Sequence, residues 1–192
     1  MSWHFFREFL SDWRATGAVA PSSRALARRV VDLAGVHDAR CILELGPGLG
    51  PFTEAIQKQM PEGAKYLGLE LNAVFAQRLR ERFPVMRFEA VAAQEYDFSG
   101  FLKDDESFDC IISGLPWTAF PESLQIAILD HALARLRPGG RMVTFAYAGF
   151  HLLPAGRHFA QLLASRSATL TRSATVWGNV PPAFVYSATK RA

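Results

Sequence analysis

The residues best suited to chemistry lie in a glycine-rich loop that follows a short apolar run. Gly46, Gly48 and Gly50 alternate with other residues after the segment 41–45, and Glu44 stands two residues before the first glycine. Glycine permits positive φ angles and close approach of a ligand to the main chain, and a helix behind the loop directs free N–H groups towards it. The spacing differs from the Gly-x-Gly-x-x-Gly of dinucleotide enzymes. With an acid at Glu44, it favours a nucleotide ligand that carries an ammonium group over a pyrophosphate.

A second acid stands where nucleotide-binding βαβ units place one. Residues 51–60 can form a helix behind the loop, and the apolar run 65–69 predicts a strand that ends at Glu70 and Leu71. An acid about 20 residues past the glycines, at the end of the second strand, accepts hydrogen bonds from ribose hydroxyls. Glu70, with Leu71 beside it, is therefore a predicted contact to a nucleoside.

The loop at 113–117 is the predicted place of reaction. It follows a fourth predicted strand, 108–112, and groups at the carboxyl end of a central parallel strand face the bound ligand. The aromatic face of Trp117 can attract a cationic amine by about 1 to 2 kcal/mol when desolvated. Tyr147 and His151, after a fifth strand, are candidates to relay a proton. A core tyrosine and a surface histidine are the simpler alternative.

The start of another predicted helix, at residues 24–34, adds a further contact. Ser22 or Ser23 is a natural N-cap for this helix, and the N–H groups of a helix start form an anion site. Such a site suits the carboxylate of a cofactor or the phosphate of a substrate. Plain capping of the helix accounts for either serine equally well.

Strands and helices alternate along most of the chain, and they must bring these residues together. The predicted strands are 41–45, 65–69, 85–90, 108–112 and 141–147, and two β-rich runs, 168–177 and 183–189, form a closing hairpin. The predicted helices are 24–34, 51–60, 73–83, 121–136 and 157–165, and the turn 137–140 separates the fourth of these from the fifth strand. This alternation is typical of an α/β domain built on a parallel sheet.

Composition places the chain among globular proteins of one domain. It has 192 residues, of which 49% are hydrophobic, and no run approaches the roughly 18 apolar residues of a membrane span. Charged residues interrupt the N-terminus, so a signal peptide is not expected and we predict a cytoplasmic protein. Cys41 and Cys110 each lie in an apolar run, which is typical of reduced, buried thiols rather than of a disulfide or a metal site.

Residues 2–14 are expected to form an amphipathic helix. Their aromatic and apolar residues share one face at helical spacing: Trp3, Phe6, Phe9, Leu10 and Trp13. Tryptophan favours the membrane interface, so this face is a candidate membrane anchor. Packing of the helix on the domain is an equally good alternative.

Positive charge is concentrated in the C-terminal third of the chain. The net charge is +3, the last acid is Asp130, and seven arginines and lysines follow between Arg137 and Arg191. Such asymmetry indicates an anionic partner, either phospholipid head groups or nucleic acid, or else a basic surface that serves solubility.

The loop and the two acids carry a resemblance to a known family. Glu44-x-Gly-x-Gly-x-Gly together with Glu70 resembles the cofactor site of the class I methyltransferases, which use S-adenosylmethionine. Further segments, spread over nearly the whole chain, are similar to those of the bacterial phospholipid N-methyltransferases: 16–23, 43–48, 113–117, 137–140 and 179–183.

This resemblance implies a Rossmann-like class I fold, with a seven-stranded, mostly parallel sheet, a C-terminal β-hairpin and an amphipathic N-terminal helix. It divides the single domain into a helical, membrane-binding and cofactor-capping extension, residues 1–36, and a core, residues 37–192. The implied activity is stepwise N-methylation of phosphatidylethanolamine towards phosphatidylcholine. The implied enzyme is a monomer, held at the anionic inner face of the cell membrane by its N-terminal helix and its basic C-terminal third.

The resemblance also implies roles for particular residues. The implied cofactor contacts are Ser22, Ser23, Glu44, Gly46, Gly48, Gly50, Glu70, Leu71, Ala92, Gln94 and Ser113. Many class I methyltransferases bind the adenine amino group with an acid that has no counterpart in 91–94, so Gln94 or a backbone group takes its place. The implied catalytic residues are Gly114 and Leu115, whose carbonyls hold the amine, with Trp117 and Tyr147. No metal is expected.

Three other functions remain open. A methyltransferase for another amino lipid, such as an ornithine lipid, fits every feature equally well. A ribosomal RNA adenine N6-methyltransferase shares the loop types, but it usually carries an added RNA-binding domain for which this chain has no room, so no nucleic acid is expected. A non-catalytic membrane-binding module would need neither the two acids nor the glycine loop.

Overall fold

The structure is a computed structural model that describes residues 22–192. The helix predicted over 2–14, with its face of Trp3, Phe6, Phe9, Leu10 and Trp13, lies outside the described residues. The strands are β1 (Cys41–Leu45), β2 (Lys65–Leu69), β3 (Arg87–Glu89), β4 (Phe108–Ser113), β5 (Leu136–Tyr147), β6 (Thr169–Arg172) and β7 (Ala183–Thr189). The helices are α1 (Arg24–Ala34), α2 (Pro51–Gln59), α3 (Ala73–Arg82), α4 (Glu122–Ala134) and α5 (Pro154–Ser165).

The seven strands form one sheet in the order β3-β2-β1-β4-β5-β7-β6. The first five strands pair in parallel, whereas β7 pairs antiparallel with both β5 and β6. The predicted seven-stranded, mostly parallel sheet with a closing hairpin is therefore confirmed. The strand order reverses between β1 and β4, and open α/β sheets bind ligands in the crevice outside the carboxyl ends of the strands at such a reversal.

Two hydrophobic layers cover the sheet because alternate side chains of each strand point to opposite faces. Leu43 and Leu45 of β1 pack in the layer beneath α4 and α5, while Ile42 packs in the layer beneath α1, α2 and α3. These three side chains are fully buried. Full burial of one such side chain contributes about 1.5 to 3 kcal/mol, so the central strand is a rigid base for the loop that follows it.

Three strands differ from their predicted bounds by more than one residue. Residues 137–140 do not precede the fifth strand but lie inside it, because Phe108 pairs with Leu136 while Cys110 pairs with Arg141, and the intervening residues bulge from the ladder. The predicted strand 85–90 is reduced to the three residues of β3. The predicted run 168–177 is a strand only as far as Arg172, and beyond it Val176 forms an isolated bridge to Ala183.

Asp109 ties together the starts of three strands. One carboxylate oxygen accepts hydrogen bonds from the backbone N–H groups of Arg40 (2.8 Å) and Cys41 (3.0 Å), where β1 begins. The other accepts from Arg137 Nε at 2.8 Å, in the bulge of β5. The carboxylate thus satisfies main-chain donors that have no partner in the ladder at that point.

We expect Asp109→Ala to lower the free energy of unfolding by about 2 to 3 kcal/mol, because it leaves two backbone donors and a guanidinium without their acceptor. Urea denaturation followed by circular dichroism measures the change. Asp105→Ala is the matched control, since Asp105 is exposed in a turn. Equal midpoints for the two variants would contradict the proposed anchoring role of Asp109.

Candidate functional site

A cleft of about 640 Å³ opens at the carboxyl ends of the parallel strands. Its walls come from the glycine loop, the loop after β4, the end of β5, the segment that leads into α5, and the closing hairpin. The lining includes Ser22, 46–49, 114–119, 145–147, Phe150, His151, Leu153, Gly156, Phe159, Pro181 and Tyr186. The cleft therefore brings together the two loops that the sequence analysis singled out.

Main-chain hydrogen bonds hold the ends of the central strands in register. Gly46 N–H donates to the carbonyl of Leu69 at the end of β2 (2.9 Å), and Gly114 N–H donates to that of Leu45 at the end of β1 (2.8 Å). The three loop glycines have positive φ angles, 68° at Gly46, 62° at Gly48 and 82° at Gly50. L-residues with a side chain rarely adopt such angles, which explains the alternating glycines.

The two loops approach each other so closely that an added Cβ at either Gly46 or Gly114 would clash with the other loop. A Cβ at Gly114 would lie 2.7 Å from the carbonyl oxygen of Gly46, and a Cβ at Gly46 would lie 2.6 Å from the Leu115 side chain. The first contact is with rigid backbone and the second with a movable side chain. Gly114 is thus required for the loops to meet.

Glu70 connects the end of β2 to both neighbouring turns. One carboxylate oxygen accepts from Gly48 N–H in the glycine loop and the other accepts from Asn72 N–H at the start of α3, each at 2.9 Å. The residue is only 3% exposed. Leu71, beside it, is half-buried. The acid predicted to receive ribose hydroxyls is therefore aligned against the loop, and its contact with a ribose stays a prediction.

Glu44 is a fully buried acid beneath the glycine loop. Its Oε2 accepts hydrogen bonds from the Tyr66 hydroxyl and from Thr53 Oγ1 (2.8 Å). Its Oε1 has no hydrogen-bond partner within the described part of the chain. Burial raises the pKa of Glu44 from 4.5 to about 7, against the lowering effect of the Tyr66 and Thr53 hydrogen bonds. A buried carboxylate with an unsatisfied oxygen suits a cationic or hydrogen-bond-donating ligand.

The start of α1 reaches the cleft through Ser22 and Ser23. Ser22 lines the cleft, and Ser23 is the N-cap, since its Oγ accepts from Leu26 N–H at 3.2 Å. The N–H of Ser23 itself donates to Asn179 Oδ1 (2.8 Å), and Asn179 Nδ2 donates to the Pro181 carbonyl (2.7 Å). No local pattern in the sequence indicates a role for the Asn179 side chain. Its burial and these bonds show that it holds the helix start against the cleft.

The side chains of Ser113 and Trp117 serve the loop after β4 rather than an open surface. Trp117 Nε1 donates to Ser113 Oγ (3.1 Å) and to Thr144 Oγ1 (3.2 Å), and the ring of Trp117 stacks on Phe159 at 5.0 Å. Trp117 is 3% exposed and Ser113 is fully buried. Phe159 covers one face of the Trp117 ring, whereas Trp117 is also among the residues that line the cleft, so its predicted contact with an amine stays a prediction. The Ser113 side chain accepts a hydrogen bond within the loop, and its predicted contact with the cofactor stays a prediction.

The carbonyls predicted to hold an amine differ in their partners. The carbonyl of Leu115 accepts a hydrogen bond from Trp117 N–H at 3.0 Å, which closes a tight turn. The carbonyl of Gly114 has no hydrogen-bond partner among residues 22–192. Both residues line the cleft. Gly114 O is thus the acceptor in this loop that is available to a ligand.

Aromatic residues form the opposite wall. Tyr147, at the end of β5, is in edge contact with Phe145 (5.4 Å) and Phe150 (6.2 Å). Burial raises the pKa of the Tyr147 phenol, so its hydroxyl is protonated at neutral pH. It can donate a hydrogen bond but is not a base there, and its predicted part in a proton relay stays a prediction.

The residues predicted to meet an adenine lie beyond β3. Gln94 belongs to the short 3₁₀ turn Ala93–Glu95 and is half-buried, while Ala92, before the turn, is buried. Neither is among the residues that line the cleft, so their contact with a cofactor stays a prediction. Within the described chain, no three His, Cys, Asp or Glu residues cluster as a metal site would require.

Comparisons with known proteins agree with this arrangement. The sequence profile of the family described as "Methyltransferase domain" matches residues 42–140. The ornithine lipid N-methyltransferase of Singulisphaera acidiphila is 30% identical, over 82% of this chain and 94% of that protein. The ribosomal RNA small subunit methyltransferase A of Acidobacterium capsulatum is 32% identical, over 58% of this chain but only 39% of that protein.

A solved structure shows the same fold. The O-methyltransferase TomG of Streptomyces achromogenes, crystallised in complex with S-adenosylmethionine, superposes with a TM-score of 0.68 at 23% identity. The match covers 90% of this chain and 82% of that one.

We expect Gly114→Ala to weaken binding of S-adenosylmethionine about tenfold or more, because the added methyl group forces the loop after β4 away from Gly46. Isothermal titration measures the affinity. Gly100→Ala is the matched control, since a Cβ at Gly100 meets nothing within 4 Å and the residue has no positive φ. Unchanged affinity in Gly114→Ala would show that the loop contact is dispensable for the cofactor site.

We expect Glu44→Gln to change how stability depends on pH. In the folded wild type the pKa of Glu44 is raised to about 7, so its contribution is fully present below about pH 4.5 and is lost as pH rises through 7. The loss is up to about 3 kcal/mol. Denaturation from about pH 5 to about pH 8 should show this decline in the wild type and not in the Gln variant. Parallel stability profiles for the two proteins would contradict the assignment.

Proposed function

The chain belongs to the class I S-adenosylmethionine-dependent methyltransferases, and from this premise we propose that it N-methylates the terminal amine of an amino lipid, foremost an ornithine lipid. S-adenosylmethionine is the cofactor. The observation that carries the proposal is a rim of exposed apolar side chains beside the cleft. A second support is a relative whose alignment covers 82% of this chain and 94% of its own length. That relative is an ornithine lipid N-methyltransferase.

The chain's own groups fit S-adenosylmethionine. The unpartnered Oε1 of Glu44 is a buried acceptor that suits a cationic ligand, and the carboxylate of Glu70 can accept from ribose hydroxyls. The glycine loop exposes main chain without side chains, so a ligand can approach it closely. The helix start at Ser22 and Ser23 suits the carboxylate of the cofactor.

When bound, S-adenosylmethionine supplies an activated methyl group on a sulfonium that is already a good leaving group. The protein therefore has to hold an uncharged amine in line with that group and keep water away, which is mainly a matter of positioning. The Gly114 carbonyl can accept a hydrogen bond from the amine and orient its lone pair. The buried indole of Trp117, with its two hydrogen bonds, fixes the loop that carries this carbonyl.

The rim beside the cleft is unusually apolar for a water-facing surface. Phe150, Leu152 and Leu153 follow one another before α5 and are 54%, 58% and 53% exposed. Phe150 and Leu153 also line the cleft. An exposed apolar patch at the mouth of a site marks contact with a membrane or an apolar ligand. The acyl chains of a lipid can lie against this rim while the head group enters the cleft.

The basic C-terminal third contributes two cations at this end of the molecule. Arg157 lies in the first turn of α5, and Arg172 is the last residue of β6. Both side chains are exposed. Other cations of this third are engaged elsewhere: Arg137 pairs with Asp109, and Arg166 pairs with Asp130. The proposal of an anionic membrane partner therefore rests on Arg157 and Arg172, together with the N-terminal face of Trp3, Phe6, Phe9, Leu10 and Trp13.

The remaining parts of the proposal concern location and assembly. No helix within residues 22–192 has the length and hydrophobicity needed to cross a bilayer. We propose a monomer that acts from the cytoplasm on the inner face of the membrane. Phosphatidylethanolamine is the second candidate substrate, because its head group also ends in a primary amine and carries an anion. The segments at 16–23 and 179–183 are similar to those of phospholipid N-methyltransferases.

We expect the purified chain to transfer methyl label from S-adenosylmethionine to phosphatidylcholine vesicles that contain ornithine lipid, and at a lower rate to vesicles that contain phosphatidylethanolamine. Thin-layer separation of the lipid extract measures both. Vesicles without an amino lipid and a structured ribosomal RNA are run in parallel. Label in RNA alone would overturn the lipid assignment and favour the function of the ribosomal RNA relatives.

The rim is tested in the same assay with matched variants. Replacing Leu152 and Leu153 with serine should lower the rate of methylation on vesicles by about fivefold or more. The reason is that serine lacks the favourable free energy that each exposed leucine gains when it moves from water into the bilayer. The control replaces Val74 and Val85, which are 58% and 86% exposed on other parts of the surface. Equal rates in the two double variants would remove the rim from the proposal.

A further inference from the structure

His151, on the aromatic wall of the cleft, contacts Arg172, which is exposed and is not itself among the residues that line the cleft. The proposed mechanism uses neither side chain. Arg172 Nη1 lies 2.9 Å from His151 Nε2. The His151 ring is in edge contact with Phe184 at 4.8 Å, and the Arg172 guanidinium lies over the same ring at 4.9 Å. Phe184 is almost fully buried, so it is a fixed platform for both groups. His151 itself lines the cleft.

The direction of this hydrogen bond determines what the pair can bind. A guanidinium only donates, so His151 Nε2 accepts, and in the neutral ring the proton is carried by Nδ1. Nδ1 is buried and has no hydrogen-bond partner in the range 22–192. A buried donor without an acceptor is destabilising, and a ligand that supplies the acceptor removes that cost. The histidine therefore lacks an acceptor, and its Nε2 is not available as a base while Arg172 donates to it.

Among residues 22–192, Arg172 also lacks an anionic partner. None of the ion pairs between described residues includes it. Tyr186, which pairs with Arg172 across β6 and β7, lines the cleft and is a further donor, because burial raises the pKa of its phenol despite the nearby guanidinium. The cluster of His151, Arg172 and Tyr186 thus presents hydrogen-bond donors and one positive charge.

Gly156 positions the cluster. A Cβ at this residue of α5 would lie 2.4 Å from the Phe150 carbonyl oxygen and 2.7 Å from His151 Cα. Only glycine lets the helix pack this closely against the segment that carries the histidine. On its other side α5 contributes Phe159, which stacks on Trp117 in the loop after β4. Helix α5 therefore sets the distance between the donor cluster and the loop that carries the Gly114 carbonyl.

We propose that His151 and Arg172, with Tyr186, form a subsite for the oxyanion of a zwitterionic lipid head group, and that this subsite selects the substrate. The inference rests on the proposed function. The loop after β4 offers an acceptor to the amine, and the aromatic wall offers donors and a positive charge to the acid of the same head group. That acid is the carboxylate of an ornithine lipid or the phosphate of phosphatidylethanolamine, and the shared chemistry is an oxyanion at a distance from a primary amine.

The test compares acidic and non-acidic amine substrates in phosphatidylcholine vesicles. Ornithine lipid and phosphatidylethanolamine carry the oxyanion, whereas octadecylamine presents a primary amine without it. Arg172→Gln should raise KM for the acidic lipids about tenfold, as loss of a charge-assisted hydrogen bond does, with kcat within about twofold. KM for octadecylamine and the dissociation constant for S-adenosylmethionine should stay unchanged. Arg172→Lys, which keeps the charge, should recover part of the loss.

Two further variants keep the outcome interpretable. His151→Phe preserves a ring against Phe184 and leaves Arg172 in place, and it should raise the same KM values several-fold. Arg78→Gln removes an equal charge from an exposed position on α3. It should leave KM unchanged for both the acidic lipids and octadecylamine. A larger effect on ornithine lipid than on phosphatidylethanolamine supports a carboxylate at the subsite, and the reverse supports a phosphate.

The results separate this inference from the function on which it rests. If the wild type methylates an amino lipid but Arg172→Gln behaves like Arg78→Gln, or raises KM for octadecylamine equally, the subsite is overturned and the function stands. If the wild type methylates no amino lipid, both are overturned.

Discussion

The site depends on the contact between two main-chain segments, the glycine loop after β1 and the loop after β4. Gly46 N–H bonds the end of β2 and Gly114 N–H bonds the end of β1, so three neighbouring strands end at the same level. A Cβ at Gly114 would lie 2.7 Å from the Gly46 carbonyl oxygen. Because main chain cannot move aside as a side chain can, this contact sets the distance between the glycine loop and the loop after β4.

Charge is organised around the same contact. Glu70 receives two backbone N–H groups and aligns the loop, whereas Glu44 is fully buried with one oxygen unsatisfied among the described residues. A carboxylate without water is costly unless it is neutralised or paired, and the raised pKa of Glu44 expresses that cost. The fold retains a destabilising group beneath the loop, which is the pattern expected where a ligand supplies the missing interaction.

The two walls of the cleft present different kinds of groups to a ligand: one presents rigid main chain and the other presents side chains. The wall of the glycine loop and the loop after β4 offers backbone groups, which suit a cofactor of constant structure. The wall from the end of β5 and the hairpin offers the side chains of Tyr147, His151 and Tyr186, with Arg172 in contact with His151. The identities of these residues can change without disturbing the strand ends. Differences in substrate among proteins of this fold are therefore expected to arise on the second wall, since loops and side chains on a rigid scaffold carry specificity.

The sequence alone determined which segments of the parallel half are strands and helices, the glycine loop and the positions of Glu44 and Glu70, because local periodicity and glycine spacing specify them. The spatial order of the strands came only from the structure. The sequence did not determine that Trp117 would be buried against Phe159. It also gave no sign that Asn179 would receive Ser23 N–H, 156 residues away in the chain, or that Arg172 would meet His151. These pairings lie between elements that are distant in sequence, and their side chains become neighbours only when the antiparallel hairpin closes on β5 and α5 packs over the cleft. Local sequence patterns do not predict such long-range contacts. Which donors and acceptors meet is decided only by the packing of the tertiary structure.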